Sequence, residues 1–265
     1  MINAILSCLP PDHPWRPHIQ FHPSLPSTNT ETKSQAAAGA PHGTVIIADS
    51  QSAGRGRLGR SFCSPAGSGI YMSVILRPDC RPSELMHLTC ATAVAVCDAI
   101  ESALAFRPGI KWINDLVLEK QKLGGILTEL SIHPKSGLVD YAVVGIGINC
   151  NQQPEDFPPE LRSIACSVSM ATGSIVNRNK LAAAMIWELE RMSRNLPQKA
   201  AIMERYRQDC VTIGKDITVI QDDRCQNAKA LSVDDDGALI VDYGNGQPST
   251  VNCGEVSVRG LFGYL

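Results

Sequence analysis

The sequence has no uninterrupted apolar run near the roughly 18 residues that cross a bilayer as a helix, so no membrane span is expected. Its opening, MINAILSCLPPDHPW, lacks a basic residue ahead of the apolar stretch, which Pro10, Pro11 and Pro14 then interrupt. That makes a poor secretory signal, and a cytoplasmic location is expected. A surplus of charge is also missing: 24 Lys and Arg stand against 26 Asp and Glu, giving −2 with neutral His. A protein that holds duplex DNA mainly by its phosphates carries a basic excess, so that class is disfavoured, while a local anion site is not. Ten cysteines in 265 residues fall below the density of a disulfide scaffold, and no two stand as C-x-x-C. They read as reduced, mostly buried thiols. His18 and His22 have H-x-x-x-H spacing, but no Glu lies between them and Pro23 follows, so no protein metal site is expected. There is no internal repeat and no low-complexity tract.

What is present is a globular chain, 44% hydrophobic and 19% charged, long enough for one large domain or two unequal ones. Apolar periodicity predicts strands over 18–22, 43–49 and 69–76, with a short capped helix between the first two. A long helix is expected from Ser83 to Leu104, entered through Pro82. Three β-like pieces follow, from 110, 122 and 141, the first two close enough to be antiparallel neighbours. Residues 152–176 read as irregular at first, and helices are expected from Asn177 to Leu196 and from Ala200 to Cys210. After Gly214, four short alternating segments (DITVIQ, AKALSV, ALIVDY and TVNCGEVSVR) predict a small all-β domain, with the boundary near 211.

The densest chemical signal is Gly54-Arg55-Gly56-Arg57-Leu58-Gly59-Arg60, three Gly and three Arg in seven positions with no acid. Glycines let backbone N–H groups approach an anion, and Arg matches phosphate geometry with a permanent charge. The run also satisfies G-x-G-x-x-G. A dinucleotide fold needs a helix to open at the third Gly, whereas Pro65, Gly67, Gly69 and a β-like run come next, so that reading is disfavoured. Lys111-Trp112-Ile113-Asn114-Asp115 sets a cation and an acid four apart around a bend. Lys122-Leu123-Gly124-Gly125 places another Lys before a Gly pair, and Gly145-Ile146-Gly147-Ile148-Asn149 ends in an amide.

With Ser27-Thr28-Asn29, these blocks resemble, in order, the catalytic domain of the biotin protein ligases. The resemblance covers most of 18–210, and GlyGluValSerValArg at 254–259 resembles the end of that family's small barrel. Ile113 stands where the family usually has Pro, which bears on the shape of that turn, and Phe62 where Trp is common. The resemblance implies an α+β fold: a mixed, mostly antiparallel sheet with packed helices, of the class II aminoacyl-tRNA-synthetase type. A catalytic domain over 1–210 would be followed by an SH3-like β-barrel over 211–265.

The implied activity is that of a biotin–carboxyl-carrier-protein ligase, which makes biotinyl-5′-adenylate from biotin and ATP and passes biotin to a lysine of a carrier domain. Ser27, Thr28, Asn29, Gln51, Gly54, Arg55, Arg57, Lys122 and Gly125 would hold biotin. Arg55, Arg57, Arg60, Lys111, Asn149, Glu255 and Arg259 would hold the nucleotide, and Lys122, Arg57 and Asp115 would be catalytic. Mg²⁺ would arrive with ATP. The expected partners are biotin, ATP and the carrier protein, with neither nucleic acid nor membrane, and a homodimer is allowed. The Gly-Arg loop is expected to move when empty and to close on its ligand. Lipoate ligases and octanoyltransferases are the nearest alternative, and a biotin-responsive regulator is one of another class.

Overall fold

The computed structural model describes residues 1–221 and 224–252, together with the backbone of 257–260. A short helix, α1 (Ile2–Leu6), leads into β1 (Ile19–His22), α2 (Thr28–Ala37), β2 (Val45–Ala48) and β3 (Gly69–Leu76). Next come α3 (Leu88–Leu104), β4 (Gly109–Lys111), β5 (Asp115–Leu118), β6 (Gln121–Ile132) and β7 (Val139–Asn149). Helices α4 (Val168–Thr172), α5 (Arg178–Asn195) and α6 (Lys199–Asp209) complete this part. The seven strands form one sheet in the order β1-β2-β3-β7-β6-β5-β4. Only β1 and β2 run parallel, joined through α2, so the expected mixed and mostly antiparallel sheet is present.

Every residue of β2 and β3 is buried. This explains why VIIA and GIYMSVIL read as continuous runs rather than alternations: helices cover the sheet on both faces there. Helix α2 packs on one face, and α3 and α5 reach the sheet through β6 and β3. On the second face, Thr89 of α3 meets Thr128 of β6 with hydroxyl oxygens 2.6 Å apart. Helix α3, with the turn before it, has the length and apolar content of a membrane helix, but most of it is buried inside the protein. Its start differs from the expected Ser83. Residues Pro82–Leu85 form a separate 3-10 turn, closed by Glu84 accepting the Arg81 N–H at 2.9 Å. The α-helix begins after His87, whose Nε2 lies 3.0 Å from the Leu196 carbonyl at the end of α5. This tertiary tether breaks what periodicity alone joins. Helix α5 begins where expected, the Asn177 side chain accepting from the Lys180 N–H at 3.2 Å.

The C-terminal segment forms a second, fully antiparallel sheet from β8 (Asp216–Gln221), β9 (Arg224–Val233), β10 (Leu239–Asp242), β11 (Pro248–Val251) and β12 (Ser257–Gly260), ordered β11-β10-β9-β8-β12. Five strands replace the expected four because TVNCGEVSVR supplies two, one paired with β10 and one with β8.

The turn between β9 and β10 reaches the larger sheet. Asp234 accepts from the N–H groups of Asp236 and Ala238, and Gly237 stands at φ +87°. The Gly237 carbonyl accepts from Trp112 Nε1 at 2.9 Å, while Lys199 and Arg207 of α6 pair with Asp236 and Asp235. A Cβ at Gly237 would lie 3.0 Å from Cys90 Sγ on top of its left-handed backbone. Gly237→Ala should therefore cost about 1–3 kcal/mol, read as a lower urea midpoint with unchanged slope; an unchanged midpoint would show that the turn is not held this way.

Candidate active site

Strand register lays out the floor of the site. Gly145, Gly147 and Asn149 alternate along β7 and face one side of the sheet, opposite Ser73, Tyr71 and Gly69 of β3. On β6, Gly125 stands opposite Gly147 and Leu127 opposite Gly145, and Asp115 of β5 stands opposite Gly125. Above these rows lies a cavity of about 570 Å³. Ser27, Thr28, Asn29, Gln51, Arg55, Arg57, Arg60, Lys111, Asp115, Lys122, Gly125 and Asn149 all line it. Gly54 does not. A Cβ there would lie 2.4 Å from the Phe62 carbonyl oxygen and 2.8 Å from Ser64 Oγ, so Gly54 lets the loop's two arms touch. Glu255 lies outside the described residues, and Arg259 is described only as backbone of β12.

The arginine loop is a hairpin whose tip, Arg57–Gly59, is a single 3-10 turn, and no α-helix opens at its third Gly, which disposes of the dinucleotide reading. Its neck is closed by Gln51 N–H to Ser64 O at 3.1 Å and Gln51 Nε2 to Ser64 Oγ at 2.8 Å. Phe62 N–H donates to Gly54 O at 2.9 Å, and Gly56 N–H to Arg60 O at 2.7 Å. At the tip, Leu58 and Gly59 both take positive φ. The arginines of this narrow ribbon reach different partners. Arg57 Nη1 donates to Asn114 Oδ1 at 3.1 Å, tying the tip to the β4–β5 turn. Arg55 reaches Glu129 of β6 with both terminal nitrogens, at 3.1 and 3.2 Å.

Lys122 reaches the cavity because of a β-bulge. Leu116 pairs with Gly124 but Val117 pairs with Lys122, so Leu123 is the extra residue and is fully buried. Strict alternation would put Lys122 on the face of Gly124; the bulge returns it to the face of Gly125 and Asp115. Its Nζ donates to Asp115 Oδ1 at 2.6 Å. Its backbone is held by Lys122 N–H to Ile164 O at 2.7 Å and Cys166 N–H to Lys122 O at 2.9 Å. Lys111, opposite Asp115 in the hairpin, is a cation only 8% exposed. The turn between them contains a cis Trp112–Ile113 peptide, and Ile113 is buried, its carbonyl accepting from Tyr206 at 3.2 Å.

The polar wall comes from the start of α2. Ser27 holds the N-cap position without a side-chain cap bond. The Gln51 side-chain Oε1 accepts instead from Thr28 N–H at 2.8 Å and Thr28 Oγ1 at 3.1 Å. Asn29 lies across the sheet: its Oδ1 accepts from Ser73 at 2.7 Å, and its Nδ2 donates to Leu127 O at 3.2 Å and Glu129 at 3.1 Å. Glu129 also accepts from Lys33 at 2.9 Å. Burial would raise its carboxyl, but bonds from Lys33, Asn29 and Arg55 hold it below the usual carboxylate value.

At the other end, both ends of the Asn149 amide are engaged by the protein, Oδ1 accepting from Gln152 at 3.3 Å and Nδ2 donating to Cys166 O at 3.0 Å. The bond to Cys166 clips the 157–166 segment, whose Phe157, Leu161, Ile164 and Ala165 form an apolar wall. Sequence reasoning takes this segment for an irregular connector and passes over Glu129, Ser73 and Asn114 as well. Asn114, inside KWIND, and Ser73, the one serine in the otherwise apolar and aromatic run of β3, are signals that could have marked two of them. Burial pushes the Cys63 thiol in the lining up, with Asp156 adding to it, so it stays neutral at pH 7.

Two glycines of β7 are, like Gly54, required by space. A Cβ on Gly145 would lie 1.8 Å from Asn29 Oδ1, and one on Gly147 2.5 Å from the Phe62 ring. At Gly125 the nearest atoms, of Lys122, are 3.4 Å away. Gly145→Ala should lose about 1–3 kcal/mol of stability in calorimetry, whereas Gly125→Ala should stay within about 1 kcal/mol of the parent. Equal effects would contradict this packing.

With this geometry in view, the relatives are informative. Residues 21–149 match the biotin/lipoate A/B protein ligase family, and residues 212–259 the biotin protein ligase C-terminal domain. The chain is 36% identical over 234 residues to the bifunctional ligase/repressor BirA of Bacillus subtilis, covering 86% of this chain and 70% of that one. It is 34% identical over 240 residues to the biotin–[acetyl-CoA-carboxylase] ligase of Mycobacterium tuberculosis, covering 87% and 85%. In fold it resembles the Aquifex aeolicus biotin protein ligase in complex with biotin and ATP, with a TM-score of 0.77 at 24% identity over 92% of this chain and 99% of that one. Its ordered motifs, its cation-lined cavity and the relatives it matches over 70% and 85% of their length agree: this chain belongs to the biotin protein ligases of the biotin/lipoate A/B protein ligase family.

Proposed function

We propose that this chain is an ATP-dependent biotin protein ligase, with residues 1–210 as catalytic domain and 211–265 as a smaller domain that buttresses the site turn. The observation that carries this reading is the convergence of Arg55, Arg57, Arg60, Lys111 and Lys122, drawn from three separate motifs, on one cavity with Asp115 as the carboxylate among its described lining residues. In the first step a biotin carboxylate oxygen forms a bond to the α-phosphorus of ATP, the bond to the β-phosphate breaks, and pyrophosphate leaves. About five negative charges must share the cavity, and two like charges about 4 Å apart repel by about 4 kcal/mol at an effective dielectric near 20. Cations held in place beforehand offset this without reorganisation during the reaction.

In this reading Ser27, Thr28, Asn29 and Gln51 hold the ring end of biotin, where the hydrogen-bonding wall stands. Lys122 meets the reacting carboxylate and α-phosphate, and Arg55, Arg57 and Arg60 cover the phosphates. Lys111, deep in the cavity, neutralises the nucleotide. Asn149 acts on the nucleotide side chiefly by clipping the apolar 157–166 wall. Magnesium enters as the MgATP complex. Among the described residues no three His, Cys, Asp or Glu side chains gather to hold an ion, and the donor set suits a metal brought by phosphate.

In the second step the ε-amine of a carrier lysine attacks the acyl carbon, AMP leaves, and the amine loses a proton. An ammonium of pKa near 10.4 is neutral in only about one molecule in 2,500 at pH 7. In this reading Asp115, whose Oδ1 accepts from Lys122 Nζ at 2.6 Å, orients that amine and takes its proton. Neither nucleic acid nor membrane has a place in this reaction, and the near-neutral net charge supports that. The described residues include no disulfide, as a reducing cytoplasm would keep them.

Labelled biotin should pass from ATP-containing buffer to an apo carrier domain. Lys122→Ala should lower kcat/KM by about 100-fold or more, and transfer at an unchanged rate would contradict its role. Arg57→Gly cuts the bond to Asn114, so the intermediate should still form while more biotinyl-adenylate escapes into solution. If chromatography finds no more escaped intermediate than with the parent, Arg57 does not retain it.

A further inference from the structure

Glu129 is not among the residues lining the cavity, it lies outside the blocks that carry the family resemblance, and the reaction above does not use it. Yet its side chain is 19% exposed and receives four donors from two other elements. Oε1 accepts from Lys33 Nζ at 2.9 Å and Arg55 Nη2 at 3.2 Å; Oε2 accepts from Asn29 Nδ2 at 3.1 Å and Arg55 Nη1 at 3.1 Å. An ionised carboxylate offers about four lone-pair sites, so this one is saturated. Lys33 and Asn29 belong to α2, and Arg55 to the arginine hairpin.

The same wall also grips the hairpin at its neck, through Thr28 to Gln51 and Gln51 to Ser64. Asn29, bonded to Ser73 and Glu129, stands one residue from Thr28. A polar chain thus runs from the neck, along the start of α2, to Glu129 and back to Arg55. An exposed ion pair is ordinarily weak, but a bidentate Arg–carboxylate contact within a network is the case in which such pairs hold geometry.

We propose that Glu129 is a positioning residue that locks the polar wall of α2 and the arginine hairpin into one unit, so that Asn29 and Arg55 face the substrate together. This rests on the biotin ligase reading for its kinetic consequence, and on the contacts alone for its conformational one. Glu129→Gln keeps the size of the side chain, removes its charge and leaves one oxygen where two had accepted. Lys122–Asp115 and Arg57–Asn114 do not touch Glu129, so the chemical step should survive while substrate positioning suffers.

The test combines steady-state biotinylation with limited proteolysis of the substrate-free protein at Arg55, Arg57 and Arg60. For Glu129→Gln the expected result is a KM for biotin raised about tenfold or more, kcat within about threefold of the parent, and faster cleavage of the hairpin. Lys33→Ala removes a half-exposed donor without threatening the fold. It should raise KM and cleavage in the same direction by about two- to threefold, and add nothing in the Glu129→Gln background. Unchanged KM and cleavage in both variants, a fall in kcat alone, or additive effects in the double variant would overturn the proposal. Should Glu129→Gln fail to fold, Lys33→Ala decides by the same two readouts. Because cleavage is read without substrate, a parent that ignores biotin counts against the ligase reading, while the cleavage rates still judge the role of Glu129.

Discussion

Five cationic side chains around one cavity repel one another before any substrate arrives, and the architecture follows from holding them there. Two carboxylates offset the repulsion, and both are fixed by strand register. Asp115 sits opposite Gly125 and takes Lys122, while Glu129, four residues further along β6, takes Arg55 and Lys33. Both stand on sheet strands, and their side chains are 19% exposed. Lys122 and Arg55 are thereby held by carboxylates of the protein itself, at 2.6 Å and at 3.1 and 3.2 Å.

The antiparallel rows of β3, β7 and β6 supply the rigid frame. Gly145 and Gly147 lower the floor so that Asn29 and Phe62 can lie flat across it, and the bulge at Leu123 turns Lys122 into the cavity. The second sheet acts from behind. Trp112, which lines the cavity, donates to the Gly237 carbonyl, and Trp112 N–H donates to Thr212 Oγ1 at 2.9 Å. The turn carrying Lys111 and Asp115 is thereby braced from both the end of α6 and the β9–β10 turn. This gives the smaller sheet a physical link to the chemistry without requiring it to touch substrate.

Much of this was legible in the sequence because local chemistry and fold agree there. The strands, the helices α5 and α6, the hairpin of arginines and the Lys–Asp bend carry their own patterns, and twelve of the expected site residues line one cavity. What stayed hidden depends on contacts between distant segments. The start of α3 is set by His87 reaching Leu196, which periodicity cannot see. The face of Lys122 depends on a one-residue bulge, against the alternation that strands otherwise obey. Glu129 looks like an ordinary surface acid in TEL, and only the fold brings Lys33, Asn29 and Arg55 to it. The 157–166 wall is Pro-rich and irregular, and it acquires its role from the clip made by Asn149 and Cys166.

In the proposed reaction these cations serve the joining of a biotin carboxylate to the α-phosphate of ATP. Exchange of labelled pyrophosphate into ATP, measured without any carrier protein, isolates that step. Exchange should require biotin, and lipoate should not replace it. Exchange that proceeds with lipoate but not with biotin, or none with either, would contradict the account.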